Sequence, residues 1–307
     1  MEFAFDVFKF QYKNNDVYNR FIDFLGFNIN NISNVYDFPF MPVSFFKTNI
    51  IKTKGWKEEQ IFESSSTTGV YPSKHYIKDV EFYLKNTEIC FNSIFTDVSD
   101  YCYFALLPSY LDRPNSSLIF MVEHFIKKSG CGNFYNFDIV NLKRDIESYS
   151  GSKKIMIFGV TFALLSFFEN YNIQTKVEIT ETGGMKGRGP EIPRVQLHDM
   201  LLKKTHARQI YSEYGMTELL SQAYSLGDGV FKTPPSMKIL ISDITDPYLF
   251  LENGTTGKVN IIDLANIDSC SFISTEDLGR KFNDIDFEVL GRTDESEMRG
   301  CNLMYYN

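Results

Sequence analysis

A chain of 307 residues, 43% apolar and with a formal net charge of −8, has enough apolar material for a sizeable core in one large domain or two ordinary ones. The acidic balance, with no run of Lys or Arg longer than two, lacks the basic footprint of a nucleic-acid binder, so nucleic acid is not expected as a partner. Five cysteines and four histidines without a Cys-x-x-Cys or His-x-x-x-His spacing argue against a disulfide framework and against a zinc site.

The N-terminus, Met1-Glu2-Phe3-Ala4-Phe5-Asp6, has acidic residues where a signal peptide needs a basic flank, and a cytoplasmic location is the expectation. A helix is expected around Asp16–Phe24, then an irregular Pro- and Asn-containing stretch to Pro42. From there helices alternate with strands. Helices are predicted near 75–95, 116–128, 137–148, 160–169 and 194–204, with Asn115-Ser116 as a cap and Gly130 as a stop signal. Strands are predicted at 60–63, 101–107, 154–158, 175–180 and 209–213. The longest nearly apolar run, 155–168, falls short of the roughly 20 residues a bilayer requires and reads as a buried strand turning into a helix, so the chain is not expected to span a membrane. Strands separated by helix-sized connections imply parallel pairing. Beyond about residue 236 the pattern changes to short strands at 237–241, 248–251, 258–263, 271–274 and 287–290, with Asn253-Gly254 as a hairpin turn. The fold class is therefore α/β, with parallel or mixed sheets flanked by helices and a small β-rich subdomain.

Five segments carry chemistry. Ser64-Ser65-Ser66-Thr67-Thr68-Gly69 follows a strand and offers hydroxyl and backbone donors to phosphate oxygens, although its composition also suits a plain solvated turn. Glu181-Thr182-Gly183-Gly184-Met185 follows a strand, and its glycines permit a flat ring to rest on backbone. Tyr214-Gly215-Met216-Thr217-Glu218 follows another, at the carboxyl end where open α/β sheets bind ligands. There Gly215 allows close approach, Thr217 can donate to a phosphate, Glu218 can hold Mg²⁺ and Tyr214 can stack on a base; a helix start with a buried tyrosine is the alternative. Asp277, in Ser274-Thr275-Glu276-Asp277-Leu278-Gly279, can accept from ribose hydroxyls, and Arg292, in Gly291-Arg292-Thr293-Asp294, can reach phosphate or sugar.

In this order the segments resemble the adenylate-forming superfamily of acyl-CoA synthetases, adenylation domains and luciferases. Within it the nearest likeness is to the acyl-protein synthetase (LuxE-type) family, related to phenylacetate-CoA ligases. The resemblance runs from about residue 60 to 305 and includes Leu106–Leu111, Glu181–Gly187, Ser212–Leu219 and Arg299–Leu303. It implies the fold of the superfamily's N-terminal domain over residues 1–290, then a hinge and short tail at 291–307. It also implies activation of a carboxylic acid, fatty acids among the expected substrates, with ATP and Mg²⁺, and passage of the acyl group to a thiol.

On that pattern Ser64, Ser65, Ser66, Thr67, Thr68 and Gly69 cradle the β- and γ-phosphates, helped by Lys74. Gly183 and Gly184 flank adenine, and Tyr214 stacks on it. Thr217 contacts the α-phosphate, Glu218 binds Mg²⁺, Asp277 holds the ribose and Arg292 supports ribose or phosphate. Cys301, in Arg299-Gly300-Cys301-Asn302, accepts the acyl group as a thioester, with Arg299 favouring the thiolate; packing as a buried thiol is the alternative. A partner protein, an acyl carrier, reductase or transferase, then receives it. The stretch Pro108–Pro114 lies near the acid by the same analogy, with Ser109 or Tyr110 in contact with it. His198 and His124 read as core or surface histidines rather than site residues.

Two departures stand beside the likeness. Ser66 occupies a position where a glycine is usual and restricts backbone approach. Only 15 residues follow Arg292, so the large C-terminal domain and its lysine are expected to be absent. Transfer from a preformed acyl-CoA or acyl carrier protein, and a non-catalytic nucleotide- or acyl-binding subunit, remain alternative readings.

Overall fold

The structure is a computed structural model that describes residues 2–64, 71–108, 115–183 and 192–292. The chain opens with two helices, α1 (Glu2–Asn14) and α2 (Asp16–Phe24), where one was expected. Ala4, Val7, Phe8 and Gln11 share one buried face of α1 at helical spacing, and the polar Gln11 within that stripe masks its periodicity. The Asn15 side chain caps α2 by accepting from the backbone N–H groups of Val17 and Tyr18, both at 3.1 Å. A two-residue strand, β1 (Met41–Pro42), and a single-turn helix, α3 (Phe45–Thr48), follow.

Next comes a hairpin of β2 (Gln60–Glu63) and β3 (Lys74–Ile77), in register Glu63 opposite Lys74 and Phe62 opposite His75. The helix expected from His75 therefore starts later, as α4 (Val80–Asn92), where Asp79 accepts from the Phe82 N–H at 2.8 Å. His75 and Ile77 point to the buried side while Lys74 faces solvent, and this two-residue alternation belongs to a strand.

Among the described residues the main sheet has 12 strands. Its parallel half takes β4 (Tyr101–Leu106), β5 (Gly132–Phe134), β6 (Lys154–Val160), β7 (Glu178–Thr182) and β8 (Ile210–Tyr214), in spatial order β5-β4-β6-β7-β8. The helices between them are α5 (Ser117–Ser129), α6 (Ile139–Ser148), α7 (Thr161–Asn170) and α8 (Arg194–Leu202). The cap and stop signals of α5 behave as expected: Ser116 Oγ accepts from the Ile119 N–H, and Gly130 ends the helix at φ 63°.

The sheet continues antiparallel through β9 (Ala223–Ser225), β10 (Val230–Lys232), β14 (Asp286–Arg292), β13 (Phe272–Lys281), β12 (Gly257–Asp263) and β11 (Met237–Ser242). The strand expected at 248–251 reduces to one bridge between Phe250 and Ser242. The short β1 pairs parallel with β13, Met41 opposite Ile273, so the segment before the hairpin is stitched to the antiparallel half of the sheet.

Two cores result. One lies between the parallel strands and their helices, around Tyr103, Phe125, Phe158 and Leu164. The other lies between α1, α2 and the antiparallel strands, around Phe8, Tyr18, Ile241 and Phe272.

One expectation is corrected here. Cys102 and Cys131 form a disulfide, with Cα atoms 4.7 Å apart, although the cysteine count argued against a framework. The register of β4 on β5 sets Tyr103 opposite Gly132 and so brings the preceding residues side by side.

Candidate functional site

The C-terminal ends of the parallel strands, where β8 passes into the antiparallel half, gather most of the expected residues that are described. Tyr214 closes β8 with its ring packed in a triangle with Phe231 and Phe287, both at 5.7 Å centroid distance, and its hydroxyl donates to Asp277 Oδ2 at 2.7 Å. Burial, then the neighbouring Asp277 carboxylate, holds the Tyr214 phenol far above its ordinary pKa. Asp277 itself is raised by burial, against the Tyr214 hydrogen bond and the Arg292 charge. Arg292, the last residue of β14, brings Nε to 3.7 Å from Asp277 Oδ1 and donates from Nη2 to Glu276 Oε2 at 2.9 Å.

Glu218 is nearly buried, and burial raises its carboxyl pKa against a hydrogen bond from Ser73 and the charges of Arg292 and Lys47. Ser73 also forms the neck of the hydroxyl-rich loop. The Ser64 N–H donates to the Ser73 carbonyl at 3.0 Å, and the Ser73 N–H donates to Ser64 Oγ at 2.9 Å. Lys74, beside this neck, lies 3.4 Å from Glu63 and is half exposed. Ser65, Ser66, Thr67, Thr68, Gly69, Ser109, Tyr110, Gly184 and Cys301 lie outside the described residues.

Sequence reasoning missed the residues that hold the Thr217-Glu218 peptide. His75, fully buried on β3, donates from Nδ1 to the Thr217 carbonyl at 2.8 Å, and its Nε2 lies 2.9 Å from Asn266 Oδ1. Asn266 Nδ2 in turn donates to the carbonyls of Glu218, at 2.8 Å, and Cys270, at 2.9 Å. Burial drives the His75 pKa down to about 4, outweighing the two hydrogen bonds that favour the charged ring. The hairpin that carries the loop is thus tied to the β8 motif through one neutral imidazole. The available signal was a lone histidine between polar and apolar residues of a short strand, which has no distinctive spacing.

The Gly183 turn is built on a second polar cluster. Gly183 adopts φ 77°, which a side chain would strain, directly after β7. Beneath it Glu181 meets Arg194 Nε at 3.0 Å and Thr161 Oγ1 at 3.3 Å. Burial pushes Glu181 up, but His198, Arg194 and Ser212 outweigh it and hold it at about 2. His198 is a buried structural histidine, 3.2 Å from Ser212 Oγ, and His124 pins α5 to α4 through Glu88 at 2.7 Å. At Gly215 a Cβ would come within 2.4 Å of Glu213 Oε1, so the glycine lets the strand end turn past that carboxylate.

Among the described residues no three His, Cys, Asp or Glu side chains cluster as a metal site. Glu218, a carboxylate withdrawn from solvent beside a hydroxyl-rich neck, suits the role of a single protein ligand to a cation that arrives with phosphate oxygens. Of the other cysteines, Cys102 and Cys131 are bonded to each other, while burial pushes the Cys90 and Cys270 thiols up to about 12. No described helix is long and apolar enough to cross a membrane.

No protein-family model matches the chain, and no curated protein matches it. Solved structures do. ATP-bound MatB from Rhodopseudomonas palustris is similar over 76% of this chain and 47% of its own, at 14% identity and a TM-score of 0.56. The o-succinylbenzoate CoA synthetase of Bacillus subtilis, bound with a product analogue, aligns over 76% of this chain and 49% of its own, at 18% identity and a TM-score of 0.54. A long-chain-fatty-acid-CoA ligase from Archaeoglobus fulgidus aligns over 76% and 51%, at 16% identity and a TM-score of 0.54. The chain spans about half the length of these proteins. At such identities the likeness establishes architecture: the chain is built on the fold of the adenylate-forming enzymes.

Proposed function

We propose that this chain activates a carboxylic acid, a fatty acid foremost, with ATP as an acyl-adenylate, transfers the acyl group to Cys301 as a thioester, and delivers it to a partner protein. This is an acyl-protein synthetase activity. The observation that carries the reading is the meeting of Tyr214, Glu218, Asp277 and Arg292 beside the neck of the hydroxyl-rich loop, at the strand ends of a fold shared with an ATP-bound structure.

In the first step a carboxylate oxygen of the acid attacks the α-phosphorus of ATP. The bond from that phosphorus to the bridging oxygen breaks, and pyrophosphate leaves. Little covalent chemistry is asked of the protein, so positioning and charge stabilisation supply the rate. Asp277, oriented by the Tyr214 hydroxyl, accepts from the ribose hydroxyls, and the glycine pair 183–184, free of side chains, receives the adenine. The Thr217 hydroxyl donates to the α-phosphate while His75 holds its peptide still. Glu218 would hold Mg²⁺, whose charge neutralises the phosphate oxygens.

In the second step the Cys301 thiolate attacks the acyl carbonyl, the acyl–oxygen bond to AMP breaks, and AMP leaves with that oxygen; the thiol proton goes to solvent. The state of the other four cysteines supports Cys301 as the acceptor. Two are spent in a disulfide, and two are buried and poorly ionised, whereas nucleophilic cysteines need accessible thiolate.

Incubation with ATP, Mg²⁺ and radiolabelled acids of graded chain length should place hydroxylamine-labile label on the protein. Cys301→Ser should lose the label and retain acid-dependent ATP–pyrophosphate exchange. Label that persists in Cys301→Ser overturns the thioester. Silence in exchange, with labelling from preformed acyl-CoA, overturns adenylation in favour of acyl transfer.

A further inference from the structure

Residues before the hairpin fall outside the stretch that resembles the adenylate-forming superfamily, yet they reach the site. Val43 donates its N–H to the Ser274 carbonyl at 2.9 Å, extending the pairing of β1 with β13 towards Glu276 and Asp277. The single turn of α3 then buries Phe46 edge-on against the His75 ring, 5.8 Å between centroids. The next residue, Lys47, is thereby delivered to the carboxylates. Its Nζ lies 3.9 Å from Glu276 Oε1, longer than a hydrogen bond, with about a third of its side chain exposed. Its charge also acts on Glu218, together with that of Arg292. Glu276 therefore stands between two cations, Lys47 on one oxygen and Arg292 on the other. An anion of similar reach with several charged oxygens, a phosphate group, finds both cations within the span of one carboxylate.

We propose that Lys47, carried in by the N-terminal segment, is a binding residue for the phosphate chain of the nucleotide, acting with Arg292 across the Glu218–Asp277 edge of the site. The inference deepens the ATP-dependent reading above and rests on it. Lysine suits the role as a compact charge on a flexible stem, able to exchange a loose contact to Glu276 for a phosphate oxygen. The β1–β13 pairing and the Phe46–His75 contact supply the rigid base that such a flexible side chain lacks.

The test is ATP–pyrophosphate exchange with Lys47→Met, Lys47→Gln and Lys47→Arg, beside Lys127→Met as a surface control on α5. Lys47→Met and Lys47→Gln should raise the KM for ATP on the order of tenfold or more, the loss of one charge-assisted contact. The KM for the acid and the thermal midpoint should hold, and Lys47→Arg should recover most of the ATP affinity. A folded Lys47→Met or Lys47→Gln with wild-type KM for ATP overturns the proposal. If the wild type itself gives no exchange, the ATP-dependent reading fails, and calorimetric titration with Mg-ATP decides Lys47 separately. Binding that weakens in Lys47→Gln supports it, and binding that is unchanged or absent overturns it.

Discussion

The two halves of the sheet divide the work differently. In the parallel half β4 is buried at every position and β6 at all but its first, so these strands are continuous apolar runs covered on both faces by helices. In the antiparallel half, strands mix apolar with polar residues, and β13 carries Glu276 and Asp277 while β14 ends on Arg292. The parallel half supplies strand ends as a platform, and the antiparallel half, stitched to the N-terminal segment, brings charged groups over it. Stability and chemistry should therefore separate by half when each is perturbed.

The largest separation is expected from Phe158→Ala on β6, fully buried in the parallel core. It should cost about 3–5 kcal/mol of unfolding free energy by denaturant titration while leaving the KM for ATP of the folded fraction unchanged. A changed KM with unchanged stability would break the comparison. Glu218→Gln keeps size and removes charge. It should lower pyrophosphate exchange about 10²–10³-fold, with stability retained or increased because a buried carboxylate of raised pKa is removed.

A pH titration of stability sharpens the boundary between the halves. The His75 pKa is lowered in the folded protein, so the unfolded chain binds its proton first as pH falls. Stability should then decline between about pH 6.5 and pH 4, by about 3 kcal/mol from this group. Glu218 and Asp277, raised by burial, act with opposite sign and lose stability as pH rises through their folded values. The difference between wild type and His75→Gln isolates the histidine. The same slope in both proteins would mean that His75 is not held neutral. The smallest effect is expected from Lys143→Ala, which breaks an i,i+4 pair with Glu147 at 3.0 Å on α6 and should cost no more than about 0.5 kcal/mol.

What was legible in the sequence follows the same division. Runs such as Tyr101–Leu106 and Lys154–Val160 announce buried strands, and Ser116 and Gly130 mark a helix by residue type alone. The segments bearing Tyr214, Glu218 and Asp277 stood out as short motifs in a recognisable order, although Asp277 lies within β13 rather than after a short strand. Three-residue strands such as β9 and β10 are too short for any period to show. Residues 75–77 were read as the start of a helix because so few residues show no clear period in the sequence, and the alternation emerges only when they pair with β2. His75, Asn266 and Lys47 were invisible because their roles depend on contacts across the chain. His75 meets Thr217 at a separation of 142 residues and Asn266 at 191.

The pairing of α1 and β1 with strands more than two hundred residues later also bears on how a chain emerging from the ribosome folds. Gln11 donates to the Asn266 carbonyl and Asn15 to that of Ser269, separations of 255 and 254 residues. The apolar stripe of α1 and the short β1 are made well before the residues they pair with. Closing so long a loop is entropically costly, and the stripe stays uncovered while the intervening sheet is synthesised. A nascent chain halted before residue 266 would expose this stripe, whereas release of the finished β13 covers it in one step and brings Lys47 to the site together with it.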